Sequence, residues 1–307
     1  MNGFSNDFIN IMENLSIPNT YWKERSFEYQ YWFRSLLHKI DSALIFKNLP
    51  SGWNNDFFML CLWFRGYVAV FPTARKDLEQ YGKGVLFSVC TLSGYDFYFQ
   101  PNKVLINNPM YEATLEIGKQ AELLKLTPDY CGIFDILDYY ASKLAEISKS
   151  IDMGILNAKT PVILTAINES QSETLKKVYD KIQKGESLVI YKNYDNSNEI
   201  QTTKDPFEAW TQNLKETYIV TDLLENMQTI LNSFYMEIGL PVASEKKERL
   251  ITSEVEFNNR QSQARISCWY ETLSECLKTI NKKYNLNIEV DYAGKNDTNR
   301  VRESTEL

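Results

Sequence analysis

A single histidine, His38, is the first constraint on the chemistry open to this chain. It rules out catalytic schemes and zinc sites that need two imidazoles, and no cysteine stands at the usual spacing for a mixed Cys-His site. His38 reads as a structural residue. Five cysteines, Cys61, Cys90, Cys131, Cys268 and Cys276, form an odd set without a CxxC pair. In a chain of 307 residues, too large to need stapling, they read as reduced core thiols. Gly82-Lys83-Gly84 lacks the rest of a phosphate-binding loop, so nucleotide hydrolysis gains no support from it. Glu245-Lys246-Lys247 with an upstream Asp would suit a metal-dependent nuclease. Three residues arise easily by chance, however, and no strand-borne acidic pair accompanies them. The expectation is a protein that is not an enzyme, with no metal and no cofactor.

Whole-chain charge points the same way. The sequence carries 33 Lys+Arg against 40 Asp+Glu, a formal charge of -7, so its surface as a whole repels nucleic acid and any DNA contact has to be local. The 19 Tyr, 16 Phe and 6 Trp supply large apolar bodies, many with a polar edge, a composition that favours subunit interfaces. Met1 to Pro18 shows no basic segment followed by an apolar stretch, and no run reaches the ~18 apolar residues of a membrane span. A soluble, unexported chain is expected.

The elements that must position any site follow from periodicity. Tyr29, Phe33, Leu36, Leu37, Ile40 and Leu44 recur at helical spacing, and a second helix covers Asp56 to Arg65. Gly66 to Phe71, Val85 to Val89, Tyr95 to Phe99 and Val104 to Ile106 are aromatic or β-branched runs between Gly, Pro and Asn, which predicts short antiparallel strands. Ile133, Leu137, Tyr140, Leu144, Ile147, Ile151 and Ile155 then line one side of a long helix over 134–157, roughly 36 Å at 1.5 Å per residue. Residues 158–206 read as a small α/β insertion. It holds a strand at Val162 to Ala166, a helix opened by the Ser170–Glu173 capping box and ended by Gly185, a strand at Leu188 to Tyr191 and a loop at Asn193 to Asn198. A second long helix over 207–238 starts at Asp205-Pro206 and stops at Gly239. After a charged loop, Ser253 and Glu256 open a third long helix reaching Asn285, Ile288 to Tyr292 forms a closing strand, and 293–307 is a polar tail expected to be mobile. The fold class is α+β, mainly α.

This order of elements resembles the portal (upper collar, or head-tail connector) proteins of small picovirus-type podophages. The likeness extends to Asn48-Leu-Pro50, Gly66-Tyr-Val68, Lys159-Thr-Pro-Val-Ile163, Lys177-Val-Tyr179, Thr203-Lys-Asp205, Glu245-Lys-Lys-Glu-Arg-Leu250, Thr252-x-Glu254-Val255 and Lys278-x-Ile-Asn281-x-x-Tyr-x-Leu-Asn287. It covers residues 25 to 292. The resemblance implies a phage portal fold: a wing with short strands (1–133), stem helices (134–157 and 207–238), a clip (158–206), a channel loop (239–252), an inner wing or crown (253–292) and the tail (293–307). It also implies a homo-oligomeric ring of twelve at one capsid vertex, through which double-stranded DNA is packaged and ejected. Expected partners are the packaging ATPase, the major capsid and scaffold proteins and a lower collar or tail protein. The expected location is the virion, with the host cytoplasm during assembly and no membrane.

The resemblance assigns DNA contacts to lysines of the channel. Lys204 stands where the family has one channel lysine, and the second falls nine residues on, at Asn213. Lys215 is close, but two residues turn it about 200° further round a helix. Lys246, Lys247 and Arg249 of the channel loop complete the set. Twelve copies at -7 each would carry -84, a surface that limits adhesion of a moving polyanion while a few lysines make weak, repeated phosphate contacts. The family's type member begins with a basic arm, whereas Met1 to Pro18 holds no Lys or Arg, so nucleic-acid contact there is not expected. The rival readings are a non-portal helical scaffold or adaptor of a virion assembly, and the nuclease.

Overall fold

The computed structural model describes residues 4–82, 84–159, 162–165, 173, 176–177, 208–211, 219–240 and 252–292. The chain divides into two units, Met1–Ser148 with Asn226–Leu307, and Lys149–Glu225.

The first unit opens with three short helices that meet on their aromatic faces. Helix α1 (Asn6–Asn14) is capped by Ser5, whose Oγ accepts the Phe8 N–H at 3.1 Å, and α2 (Asn19–Lys23) contributes Trp22. Helix α3 (Phe27–Asp41) is capped by Ser26 and buries Tyr29, Phe33, Leu36, Leu37 and Ile40, the expected stripe. Trp22 lies 5.0 Å from both Phe4 and Phe33, edge to face in each case, and 6.0 Å from Phe134. The N-terminal residues without Lys or Arg are thus part of the core: Phe4, Ile9, Met12, Leu15 and Ile17 are buried in it.

Strand β1 (Leu44–Lys47) pairs antiparallel with the closing strand β10 (Glu289–Tyr292), so Leu44 belongs to a strand rather than to the end of the first helix. Helix α4 (Asn55–Arg65) takes its cap from Asn54 and stops at Gly66, whose φ of 80° is left-handed. A Cβ there would sit 2.3 Å from the Cys131 backbone, so both conformation and space demand glycine. Strand β2 (Tyr67–Pro72) lies between β3 (Val85–Ser88) and β7 (Glu122–Lys125), both antiparallel to it. A second sheet is formed by β4 (Thr91–Tyr95), β5 (Pro101–Asn108) and β6 (Tyr111–Glu116) in that order.

The expected strand at Tyr95 to Phe99 is corrected. Only Tyr95 ends a strand, and Asp96 to Gln100 form the turn of the β4–β5 hairpin. Asp96 dictates this outcome: its Oδ1 accepts the N–H groups of Tyr98 at 2.8 Å and Gln100 at 2.9 Å, while Phe99 sits at φ 57°. A local carboxylate competes successfully with a ladder for these backbone donors.

Helix α5 (Phe134–Lys159) matches the expected long helix; Leu137, Tyr140 and Leu144 are buried along it, as is Ile133 just before it. Helix α6 (Val220–Ile238) ends as expected at Gly239, where the Leu240 N–H reaches back to the Tyr235 carbonyl at 2.9 Å. Helix α7 (Thr252–Tyr284) carries Ile266, Trp269, Leu273, Leu277 and Ile280 into the same core, with Trp63 and Trp269 5.8 Å apart.

In the second unit, β8 (Val162–Thr165) pairs antiparallel with β9 (Glu208–Thr211), Val162 opposite Thr211. A helix from 207 is therefore corrected to a strand over Glu208–Thr211 and a helix from Val220. Pairing with β8 satisfies backbone groups that a helix would have satisfied locally, and tertiary pairing overrides the apolar period. Within this unit Gly154 of α5 lets Val220 close in: a Cβ there would meet Val220 Cγ2 at 2.7 Å. Of the helix expected after Ser170, helical backbone is described at Glu173, Lys176 and Lys177, all exposed. The rest of that helix, the expected strand at 188–191, the loop at 193–198 and the tail at 293–307 lie outside the described residues.

Candidate functional site

Lys204, Lys215, Lys246, Lys247 and Arg249 all lie outside the described residues, as does Glu245 of the nuclease reading. What the structure does describe is the framework on either side of residues 241–251, the end of α6 and the start of α7.

Near the end of α6, Glu237 engages two other helices. Its Oε2 accepts the Tyr140 hydroxyl of α5 at 2.5 Å, and its Oε1 pairs with Arg265 of α7 at 2.8 Å. Burial, reinforced by the bond to Glu237, pushes the Tyr140 phenol well above its usual range, so it remains a donor at all ordinary pH. Phe234, fully buried one turn earlier, packs edge-on against the Tyr140 ring at 5.3 Å. Lys39 of α3 donates to the Tyr235 hydroxyl and lies 4.7 Å from that ring's centroid. The last turn of α6 is thereby tied to α3, α5 and α7 within the first unit.

A second polar hub fixes the start of α5. Asp138 Oδ1 accepts hydroxyl bonds from Tyr29 at 2.8 Å and from Tyr21, and Arg25 stands 3.4 Å from the same oxygen. The guanidinium also covers both phenol rings, at 4.3 Å and 4.7 Å. Burial and the bond to Asp138 push the Tyr21 hydroxyl up to about 12, and burial raises that of Tyr29 further. Neither hub has the geometry of a reaction centre. Each is a carboxylate engaged by two or three donors from other elements, the arrangement that orients helices.

Sequence reasoning missed both hubs. Asp138 and Glu237 do leave a trace, since each is an acidic residue beside a buried stripe position, Leu137 and Ile238 respectively. Their partners are more than 90 residues away in four of the five links, which periodicity does not report.

Comparison with known proteins decides what this framework belongs to. The family described as Phage Connector (GP10) matches residues 16–296. The chain belongs to the phage connector family. Solved structures with a similar course include the portal and tail of native bacteriophage P68, at 16% identity over 97% of this chain and 96% of that one, with a TM-score of 0.47. An HK97-family phage portal protein from Corynebacterium diphtheriae shares 10% identity over 86% and 94%, TM-score 0.38. The neck of an empty gene transfer agent particle shares 9% over 87% and 81%, TM-score 0.38. The match to the family carries the assignment. The expected portal identity is thereby met, and the connector is a virion component of a bacteriophage.

The connector's cysteines range from buried to exposed. Burial pushes the Cys61 thiol up and that of Cys90 up to about 12, so neither is a thiolate near neutral pH. Cys131 and Cys268 are exposed, which corrects the expectation that all five cysteines are core thiols. His38 is exposed in the last turn of α3. Gly82 and Gly84 lead into strand β3, not into the helix that a phosphate-binding loop requires. Among the described residues no group of three His, Cys, Asp or Glu could hold a metal ion, and no helix is long and apolar enough to cross a membrane.

Proposed function

We propose that this connector assembles as a ring of twelve at one capsid vertex, acting without catalysis of its own as the channel for double-stranded DNA during packaging and ejection. The family match over 16–296 is the observation that carries the reading. In it, 134–157 and the helix over 220–238 take the stem position, 158–206 with the strand Glu208–Thr211 the clip, 239–252 the channel loop, and the remainder the wing and crown. The packaging ATPase and the lower collar or tail protein meet the clip, while capsid and scaffold proteins meet the wing.

Two further features support the ring. In the second unit Met153, Ile155 and Leu156 of α5 are exposed together with Ile219 and Leu224, an apolar surface that neighbouring copies would cover. The charge of -7 per chain leaves only local cations to touch phosphate, for which Lys204, Lys215, Lys246, Lys247 and Arg249 are the candidates. Glu237, locked to Tyr140 and Arg265, gives the loop a rigid root.

Electron microscopy of the purified full chain tests the reading: a twelve-fold ring with an axial hole is expected, and a solid particle without a hole would contradict it. Lys246→Ala with Lys247→Ala should leave the ring intact and alter DNA retention or late packaging. Normal retention in that variant would remove the loop lysines from the channel.

A further inference from the structure

The turn of the β4–β5 hairpin holds Phe97, Tyr98 and Phe99 out in solvent, at 88%, 76% and 83% exposure. Three consecutive aromatics with no core to enter are costly in water and characteristic of contact surfaces. They are also held in place. Besides the two backbone bonds accepted by Asp96, the Asp96 N–H donates to the Gln100 carbonyl at 2.9 Å, and Asn102 Nδ2 donates to the Tyr95 carbonyl at 3.2 Å. Tyr130 donates to Gln100 Oε1 at 2.6 Å, bracing the base of the turn. A knob fixed in this way loses little conformational freedom on docking.

The same unit carries an open cavity of about 370 Å³ lined by Phe57, Phe71, Leu78, Phe87, Met110 and Tyr111 among others, with Asn107 and Asn108 also lining it. A cavity of ~150 Å³ accepts one benzene ring, so this one has room for two aromatic side chains. Its apolar lining suits phenyl rings, and the amides suit a phenolic hydroxyl. Met110 and Tyr81, both also lining it, are themselves about half exposed, at 46% and 45%.

Knob and socket sit at opposite ends of one strand. Asp96–Gln100 precede the first residue of β5, and Asn107–Tyr111 follow along its far end, roughly 25 Å away at ~3.3 Å per residue. A chain cannot fold its own knob into its own socket across a continuous strand. A second copy can fill the socket while offering its own to a third. Such a joint is heterologous, head to tail, and closes into a ring if the rotation permits.

We infer that the Phe97–Phe99 turn of one subunit inserts into the Phe71–Phe87–Tyr111 cavity of its neighbour, forming the joint between wings around the ring. This rests on the ring reading above and identifies the contact surface within it. A foreign partner would need only one of the two features; the presence of both, a socket with room for two rings and a turn whose Phe97 and Phe99 can supply them, singles out a second copy.

Mixing two broken subunits tests the joint. The knob variant is Phe97→Ser with Phe99→Ser, and the socket variant is Tyr81→Glu with Met110→Glu. Phe97 and Phe99 are largely exposed and Tyr81 and Met110 about half exposed at the cavity's mouth, so both variants should melt within about 2 °C of the parent, surface changes being nearly neutral. Mass photometry of the full chain should show closed rings for the parent and single chains for either variant alone. An equimolar mixture should give two-chain particles, because each pair then has one intact knob facing one intact socket. Rings from either variant alone, or no two-chain particles from a mixture of normally melting variants, would overturn the joint and leave the ring standing. A parent chain that stays monomeric would overturn both.

Discussion

Trp22 and Phe97 are both large aromatics in the same unit, yet Trp22 is 1% exposed and Phe97 is 88% exposed. Around Trp22 the rings come from separate elements, Phe8 of α1, Tyr21 of α2, Phe33 of α3 and Phe134 of α5, whose helical spacing turns each toward a shared centre. Phe97, Tyr98 and Phe99 are consecutive, and a turn nailed down by Asp96 fans consecutive side chains outward with nothing on the same chain to receive them. Aromatic content alone therefore has two meanings in this connector. At helical period it builds core, and in a braced turn it builds a surface.

Four changes sharpen that contrast. Trp22→Ala should cost about 3–5 kcal/mol by denaturant unfolding, because the cavity is surrounded by rings that cannot collapse into it. A loss below about 1 kcal/mol would mean that the cluster is loosely packed. Asp138→Ala should cost less, about 1–3 kcal/mol, by stripping the acceptor from Tyr21 and Tyr29 and leaving Arg25 unpaired.

The third effect is alkaline. The Tyr21 hydroxyl titrates at about 12 in the folded chain against 10.0 for a free phenol, so the folded state keeps a proton that the unfolded state releases. The stability it contributes is full below pH 10 and falls as pH climbs from 10 toward 12. Urea midpoints for Tyr21→Phe should decline less over that window than those of the parent. Last, Phe97→Ser with Phe99→Ser should change chain stability by no more than ~0.5 kcal/mol while changing assembly, since exposed rings contribute nothing to the fold of a single chain.

The helical part of this arrangement was legible in the sequence. The stripe from Tyr29, the stop at Gly239 and the long run from Ile133 sit where period and end signals place them, whereas the Ser26 cap was not read from the sequence. Strands were less legible, for physical reasons. Leu44-Ile45-Phe46-Lys47 is only a strand because Glu289–Tyr292 pairs with it 245 residues later, and Glu208–Thr211 is one because Val162–Thr165 does the same. Tyr95–Phe99 has strand composition, but a side-chain carboxylate took its backbone donors. The channel lysines came from family likeness alone, whereas the carboxylate hubs at Asp138 and Glu237 depend on contacts that only the folded chain brings together.

The central claim is a closed ring of connector subunits, and native mass of the purified full chain tests it most directly. Twelve chains of 35.8 kDa predict a particle of about 430 kDa that holds together on dilution, whereas a species that stays at 35.8 kDa across the concentration range would contradict the account.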